Sequence, residues 1–329
     1  MSPKGIRRTV RNNRPRILRR CGVKDCGRSG FLLRISIGST APKPDGRLHF
    51  IIHSGGFHMT KEQILNTRLT EEQIAMFYLG QEGFLIRYRD HFYLIDPYLS
   101  DSIDRHHGMQ DADWTRRYDI PILPEELDFV DYVFCTHDHT DHADPDTLRA
   151  LAAHNTKAVF IVPAPVRENI CSYGVDDSRI MSAAAGQKLS LGPCSVTPVA
   201  AAHEELHTDE SGNYKELGYR MAFGSTTLFH SGDCCIYDGL AEQISGVDIL
   251  MVPVNGRDYY KLQNDIIGNM NAEEAVLLAQ EIHARLLVPM HFDLYAGNGL
   301  SPAYFVDCLY RFSPGQAFHM FAPGERYIF

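Results

Sequence analysis

The sequence predicts an α/β protein in which helices cover two β-sheets. Short apolar runs recur along the chain, and segments with helix-capping residues lie between them. Several of the apolar runs are followed at once by His or Asp, as expected where strands end at an active site. No run approaches the roughly 18 apolar residues that a membrane span requires, so we expect a soluble protein without membrane partners.

The strands are predicted from apolar runs that turn residues bound. Residues 84–88 and 92–95 flank Arg89-Asp90-His91, which is typical of a hairpin. The second strand of the hairpin should end at Asp96-Pro97, because proline cannot donate a ladder hydrogen bond. Further strands are predicted at residues 132–135, 158–162, 196–202, 226–230, 249–252 and 286–288.

Three helices are predicted from their first residues. Asp144 before Pro145 is typical of an N-cap and a first helical residue, and this helix should run to about residue 153. Asn271 and Glu274 have capping-box spacing before an apolar stripe. Ser301-Pro302 begins the third helix. The first helix should direct its amino end toward the loop that follows strand 132–135.

That loop carries the strongest functional signal of the chain. His137, His139, Asp141 and His142 lie within six residues of one another. Imidazole and carboxylate are the ligands of zinc, iron and manganese, and four of them exceed the needs of one open catalytic ion. We therefore expect two divalent metal ions. A polar loop that is merely rich in His is the alternative, but ionisable side chains seldom crowd together unpaired.

Three further residues follow apolar runs elsewhere and are candidates for the remaining ligands. His203 follows the run 196–202, Asp233 closes Ser231-Gly232-Asp233 after the run 226–230, and His291 follows residues 286–290. In this order the loop, the single His, the Ser-Gly-Asp and the final His resemble the metallo-β-lactamase superfamily. The resemblance implies a four-layer αββα sandwich.

The resemblance also implies how the ligands are shared. It assigns His137, His139 and His203 to one metal and Asp141, His142 and His291 to the other, with Asp233 bridging the two. Such ions, zinc or manganese with iron as a further candidate, lower the pKa of a shared water to about 7 and supply hydroxide for hydrolysis. Asp141 and Asp233 are then the expected catalytic residues.

A narrower resemblance is to the L-ascorbate-6-phosphate lactonase group. It rests on residues 136–142, on His230-Ser231-Gly232-Asp233 and on the segment 288–293. It implies a cytoplasmic hydrolase that opens an anionic, phosphorylated sugar lactone. The segment 255–260 departs from that group. Four of its side chains are candidates for binding an anionic small-molecule substrate: Asn255, Arg257, Tyr259 and Tyr260. A structural turn with paired Arg257 and Asp258 is the alternative.

Two other functions are compatible with the same motifs. A phosphodiesterase or nuclease could use the same two-metal site, and a catalytically silent sensor could keep the fold. Residues 1–58 hold 13 Lys or Arg against 2 Asp or Glu, whereas residues 59–329 hold 19 against 39. The acidic body makes nucleic acid an unlikely partner. Retention of all seven candidate ligands disfavours a silent sensor.

The charge contrast also predicts the domain organisation. We expect residues 1–58 to be a basic extension, either a flexible tail or the result of a start assigned too early, and residues 59–329 to be the catalytic domain. A basic nucleic-acid arm and an organelle transit peptide are further alternatives for the extension, because both are rich in Arg and poor in acidic residues. The eight cysteines follow no secretory signal, which favours a reducing, cytoplasmic location without disulfides. The sequence is compatible with either a monomer or a homo-oligomer.

A shortened protein that begins at Met59 tests this division. We expect it to keep the hydrolase activity and the melting temperature of the full chain, because residues 1–58 lack a periodic apolar pattern. Thermal unfolding and turnover of the two proteins, compared side by side, check the expectation. A lower melting temperature or lost turnover would show that the extension belongs to the enzyme.

Overall fold

The structure is a computed structural model that describes residues 58–108 and 113–329. Residues 1–57 of the expected basic extension therefore lie outside the described residues. The strands are β1 Ile74–Gly80, β2 Gly83–Tyr88, β3 His91–Ile95, β4 Tyr132–Phe134, β5 Val159–Pro163, β6 Ile180–Ala183, β7 Leu189–Leu191, β8 Cys194–Ala200, β9 Leu217–Phe223, β10 Thr226–His230, β11 Ile249–Pro253, β12 Leu286–Met290 and β13 Arg326–Ile328. The helices are α1 Lys61–Leu65, α2 Ser102–His107, α3 Pro145–His154, α4 Arg167–Ser172, α5 Leu240–Gln243, α6 Tyr259–Gln263, α7 Ala272–Glu281 and α8 Pro302–Phe312.

The strands form two mixed sheets. The first has the order β13-β1-β2-β3-β4-β5-β6, and the second has the order β12-β11-β10-β9-β8-β7. Within the first sheet, β3, β4, β5 and β6 are parallel, and within the second, β10, β11 and β12 are parallel. The carboxyl ends of parallel strands lie at one edge of a sheet, which is where ligands bind in α/β proteins.

Three layers of apolar side chains separate four layers of secondary structure. The central core joins the two sheets, with Phe134 from the first sheet beside Tyr219 from the second. A second core packs α1, α3 and α4 against the first sheet, and a third packs α5, α7 and α8 against the second. The predicted four-layer αββα sandwich is therefore confirmed.

Most elements that the sequence predicts are present. The hairpin joins β2 to β3, and α3 begins at Pro145 with the Asp144 side chain accepting a hydrogen bond from the amide of Thr147. The capping box of Asn271 and Glu274 starts α7. The sequence analysis missed β1, β6, β7, β9 and β13. Of these, β6, β7 and β13 are short and β9 carries Arg220, whereas β1 is apolar and buried along its whole length. Across the described ranges, each helix is too short or too polar to cross a membrane.

Gly232, which follows β10 of the second sheet, faces Thr136, which follows β4 of the first sheet. Gly232 has a φ of +61°, and a Cβ atom built on it would lie 2.6 Å from the Cβ of Thr136. Only glycine meets both requirements, since other residues are strained at this φ and lack the space. The Ser-Gly-Asp motif therefore has a structural reason at its centre.

The substitution Gly232→Ala separates these two effects when it is compared with Gly246→Ala. Gly246 has a similar φ of +74°, but nothing lies within 4 Å of the position of its Cβ. We expect Gly246→Ala to lower the free energy of unfolding by about 1–2 kcal/mol through backbone strain. Gly232→Ala should cost about 1–3 kcal/mol more because of overpacking. Urea denaturation measures both; equal losses would contradict the close packing of the two sheets here.

Candidate metal centre

Every candidate ligand lies just beyond the carboxyl end of a strand, at one edge of the sandwich. The histidine loop follows β4, and the other three residues follow β8, β10 and β12 of the second sheet. The structure brings all seven together in two groups. The first group is His137, His139, His203 and Asp233, and the second is Asp141, His142 and His291. Within each group, one ligand atom per residue lies within 4.8 Å of those of all other members.

Asp233 lies between the two groups. Its Oδ2 atom is 3.5 Å from Nε2 of His203 in the first group and 3.5 Å from Nε2 of His142 in the second. Its Oδ1 atom is 3.4 Å from Nε2 of His291. One carboxylate thus faces ligands of both groups, which is the arrangement that a bridging role requires.

The spacing of the ligand atoms fits bound cations. Two atoms that each lie roughly 2.1 Å from a tetrahedral ion are about 3.4 Å apart. His139 Nδ1 is 3.2 Å from His203 Nε2 in the first group. In the second group, Asp141 Oδ2 is 3.2 Å from His291 Nε2 and 3.6 Å from His142 Nε2. These separations suit donors that share an ion.

Unsatisfied polar atoms give a second test of fit. His137 Nε2, His142 Nε2 and Asp233 Oδ1 are buried and have no hydrogen-bond partner. A buried polar atom without a partner costs free energy, so such atoms are rare unless a water or an ion satisfies them. All three atoms belong to the groups described above, and a cation between them would satisfy them together. The residues present therefore fit divalent metal ions.

Hydrogen bonds at Nδ1 fix how three of the imidazoles point. His142 Nδ1 is 2.8 Å from Asp96 Oδ2, His203 Nδ1 is 3.1 Å from Asn269 Oδ1, and His137 Nδ1 is 3.0 Å from the hydroxyl of Thr136. Because Nδ1 donates the proton in each pair, the lone pair of Nε2 is free to face the ligand group. Such partners are what orient metal-binding imidazoles.

The backbone is strained around these side chains. Gln81, Asp96 and His291 have φ angles of +60°, +43° and +56°, in the left-handed region that residues other than glycine rarely adopt. Each costs about 1–2 kcal/mol, which the surrounding packing must offset. Strain of this kind concentrates at functional sites.

The electrostatics of the site favour positive charge. Burial alone would raise the pKa of Asp141, but His142 and His291 outweigh burial and hold that pKa below its usual range. Burial likewise opposes ionisation of Asp233, yet His291 and His142 keep its pKa well below the usual value. Burial would lower the pKa of His142, whereas the nearby carboxylates, Asp141 first, raise it. The carboxylates are therefore ionised and attract a cation.

A fully buried carboxyl group, Glu82, lies behind the metal centre. Both of its oxygens lack hydrogen-bond partners, and burial, followed by the charge of Asp233, raises its pKa well above the usual value. Its neighbour His230 donates from Nε2 to the backbone oxygen of Glu82 at 2.8 Å and accepts from the amide of Gly232 at 3.2 Å. Both ring nitrogens of His230 are thus occupied, so it supports the backbone instead of binding a metal.

Gln81 contacts the second ligand group, and the sequence analysis missed it. Its Nε2 atom donates to Asp141 Oδ2 at 2.8 Å and lies 3.1 Å from His291 Nε2. The backbone N–H of Gln81 donates to the hydroxyl of Tyr118, which in turn donates to Asp293. The only sequence signal is its position between Gly80 and Gly83, in the short turn that joins two strands. A lone amide side chain carries no metal-site signature.

The four side chains that were expected to bind substrate occupy different positions. Buried Asn255 accepts from Asn269, the partner of His203, and donates to Asn298. Tyr259 is exposed on α6, and the Tyr260 hydroxyl donates to Asp113 at 3.0 Å. Asn255 therefore supports a metal-site histidine.

Arg257 is engaged elsewhere. Its guanidinium pairs with Glu274 at 2.5 Å and donates to the Sγ atom of Cys235 at 2.9 Å and to the backbone oxygen of Asn269 at 2.7 Å. Asp258 instead caps α6 by accepting from the amide of Lys261. The contacts of Arg257 thus do not support a role in holding an anionic substrate, and they also differ from the alternative pairing with Asp258.

A cavity of about 580 Å³ opens above the metal centre. Its floor includes His139, Asp141, His203, Asp233 and His291, so the candidate ligands meet solvent there. Its volume is that of a small-molecule site. Its walls come from α2, from Trp114 and from the chain after α6.

A four-layer αββα sandwich with two adjoining His and Asp groups at its edge defines a class of metal-dependent hydrolases. Residues 91–292 match the model of the beta-lactamase superfamily domain, and the chain belongs to that superfamily. The chain is 28% identical to a UPF0173 metal-dependent hydrolase from Opitutus terrae over 255 residues, which cover 75% of this chain and 96% of that protein.

Two further similarities agree with this assignment. The chain is 27% identical over 219 residues to a UPF0173 protein from Pyrococcus abyssi, covering 67% of this chain and 83% of that one. The metallo-beta-lactamase fold protein YhfI from Bacillus subtilis superposes with a TM-score of 0.57 at 18% identity, over 78% of this chain and all of that chain. The matches support a metal-dependent hydrolase of this superfamily and leave the substrate open.

The substitution Gln81→Leu tests the contact with the second ligand group. We expect it to weaken metal binding about 10–100-fold, because partners that orient a metal ligand have effects of this size. Competition with a chelator, followed by elemental analysis, measures the loss. Gln280→Leu, on the exposed face of α7, is the matched control and should retain its metal. Equal metal retention in both variants would contradict the role of Gln81.

Proposed function

We propose that this protein hydrolyses a small carboxylic ester, with a cyclic ester or lactone as its substrate class, at a two-metal site formed by the seven His and Asp residues. The observation that carries the proposal is that five of the seven residues, His139, Asp141, His203, Asp233 and His291, line a cavity of about 580 Å³. The other two, His137 and His142, belong to the same ligand groups and hold buried Nε2 atoms without hydrogen-bond partners. Volume and floor together suit a small molecule whose scissile bond meets the ligands.

In the proposed site, three residues hold each ion and Asp233 faces both. Bound divalent ions would activate water and neutralise charge that develops on the substrate carbonyl. Asp141 borders the cavity, and Gln81 and His291 fix its Oδ2 atom. Its ionised carboxylate can orient the attacking water and accept the proton that the water loses. Asp96 holds His142 from behind, so the imidazole keeps its direction during the reaction.

The lactone is supported by sequence resemblance. The motif His230-Ser231-Gly232-Asp233 and the segment 288–293 resemble the L-ascorbate-6-phosphate lactonase group. The cavity also has room for a ring. Phosphodiester hydrolysis at the same ligands is the alternative, and it remains an outcome of the test below.

The substitutions His139→Ala and Asp233→Ala test the two-metal site. We expect each to lose bound metal and to lower kcat/KM by about 100-fold or more, because each removes charge stabilisation of the transition state. Asp233→Ala should lose metal from both groups, since its carboxylate faces both. Elemental analysis and turnover of lactones, phosphodiesters and β-lactams give the two measurements.

His154→Ala and Asp307→Ala are the matched controls, because both side chains are exposed and lie outside the ligand groups. They should keep metal and turnover. Turnover that survives the loss of metal would remove the two-metal mechanism. Turnover of phosphodiesters alone would replace the lactone with the alternative substrate.

A further inference from the structure

One wall of the cavity is aromatic. The indole ring of Trp114 is stacked on the imidazole of His107, with centroids 4.5 Å apart and planes at 15°, and lies 5.7 Å from the ring of Tyr295. All three side chains border the same cavity as the candidate metal ligands. The hydroxyl of Tyr295 donates to buried Asp104, which fixes this ring in place. The wall is thus a supported aromatic surface in the same cavity as the candidate metal ligands.

Aliphatic side chains extend this apolar surface. Ile103 of α2 borders the cavity, and Ile266 and Ile267 border it from the segment after α6. The apolar contacts therefore come from two separate segments. A ligand that fills the space between them is held by apolar contacts while one of its ends reaches His139 and His291 on the floor.

The charged side chains around the cavity are acidic apart from histidine. Beyond Asp141 and Asp233 on the floor, the lining includes Asp138, Asp144, Asp146 and Asp265. Asp144 caps α3, and Asp146 pairs with Arg105, but Asp138 and Asp265 are exposed. Among the described lining residues there is no Lys or Arg. These carboxylates would repel a negatively charged group of a substrate that lies near them.

We infer that the part of the substrate distant from the scissile bond is uncharged and flat, and that it packs against Trp114. This inference rests on the proposed function and narrows it to lactones without a phosphate or carboxylate on that part. It differs from the sequence analysis, which expects an anionic, phosphorylated sugar lactone, because the described cavity lining has no Lys or Arg. Bound cations would attract the carbonyl end of the substrate at the floor. The distant end meets the acidic and aromatic walls, where a negative group is repelled and a planar ring is stabilised.

Fluorescence provides a direct test because Trp114 is the only tryptophan of the chain. The full-length protein in its metal-loaded form is titrated with 2-tetralone, an uncharged bicyclic ketone that cannot be hydrolysed, and with its 6-carboxylate. We expect saturable quenching by 2-tetralone and a dissociation constant at least about tenfold higher for the carboxylate. Free N-acetyltryptophanamide under the same conditions corrects for light absorbed by the ligands.

Turnover provides the second readout. Dihydrocoumarin, an uncharged aromatic lactone, and dihydrocoumarin-6-carboxylate differ only in the carboxylate group at position 6 and the charge that it carries. We expect kcat/KM to be at least about tenfold higher for the uncharged lactone. Trp114→Ala should raise KM about tenfold with unchanged metal content, and Trp114→Phe should restore most of the affinity, because a planar ring is kept.

A charge variant tests the acidic wall. Asp265 has a φ of +54°, and asparagine tolerates this left-handed conformation as well as aspartate does. Asp265→Asn should therefore remove charge without new strain. It should lower the ratio of kcat/KM for the uncharged lactone to kcat/KM for the carboxylated lactone by about threefold or more. Asp307→Asn, on the exposed face of α8, is the matched control and should leave the preference unchanged.

The outcomes separate this inference from the proposed function. Equal binding and equal hydrolysis of the carboxylated compounds would overturn the inference while lactone hydrolysis stands. Absence of quenching by 2-tetralone, or a KM that does not depend on Trp114, would also overturn it. If no lactone is hydrolysed but 2-tetralone still binds with the expected preference, the proposed reaction is lost and the uncharged, flat ligand is supported.

Discussion

The structure depends on a cluster of buried imidazoles and carboxylates at the edge where the two sheets meet. His137, His142 and Asp233 each direct a polar atom without a partner into the same small region. Left alone, these atoms would cost several kcal/mol of folding free energy. The fold keeps them there with further cost, in the left-handed backbone at Asp96 and His291. A bound cation would offset both costs, so the arrangement is best understood as a site completed by metal.

Hydrogen-bond partners around the metal centre orient its candidate ligands. Asp96 lies beneath His142 and also accepts from the amide and hydroxyl of Thr136 at 2.8 and 2.6 Å. One carboxylate therefore positions both the start of the histidine loop and one of its ligands. On the other side, Asn269 and Asn255 carry His203 in the same manner. The ligands are set by amide and carboxylate partners drawn from both sheets.

The fold and the candidate ligands were predictable from the sequence to different degrees. The ligands follow apolar strands and combine residue types with one shared chemistry, so local spacing was sufficient to propose them. Gln81 and Asn269 could not be proposed, because amide side chains are common and their contacts with Asp141 and His203 arise only in the folded chain. Arg257 shows the opposite problem. Its charge suggested a substrate anchor, but its neighbours in space, Glu274 and Cys235, already use it.

The same ligands have a consequence for folding, because they come from positions as far apart as His137 and His291. One set belongs to the loop after β4 in the first sheet, and the others follow strands of the second sheet. An ion that binds them is a cross-link between the two halves of the sandwich. Its binding free energy is then added to the stability of the assembled domain. Removal of the metal by a chelator would thus weaken the packing between the two sheets as well as abolish catalysis. Resistance to proteolysis would then increase with the concentration of available metal.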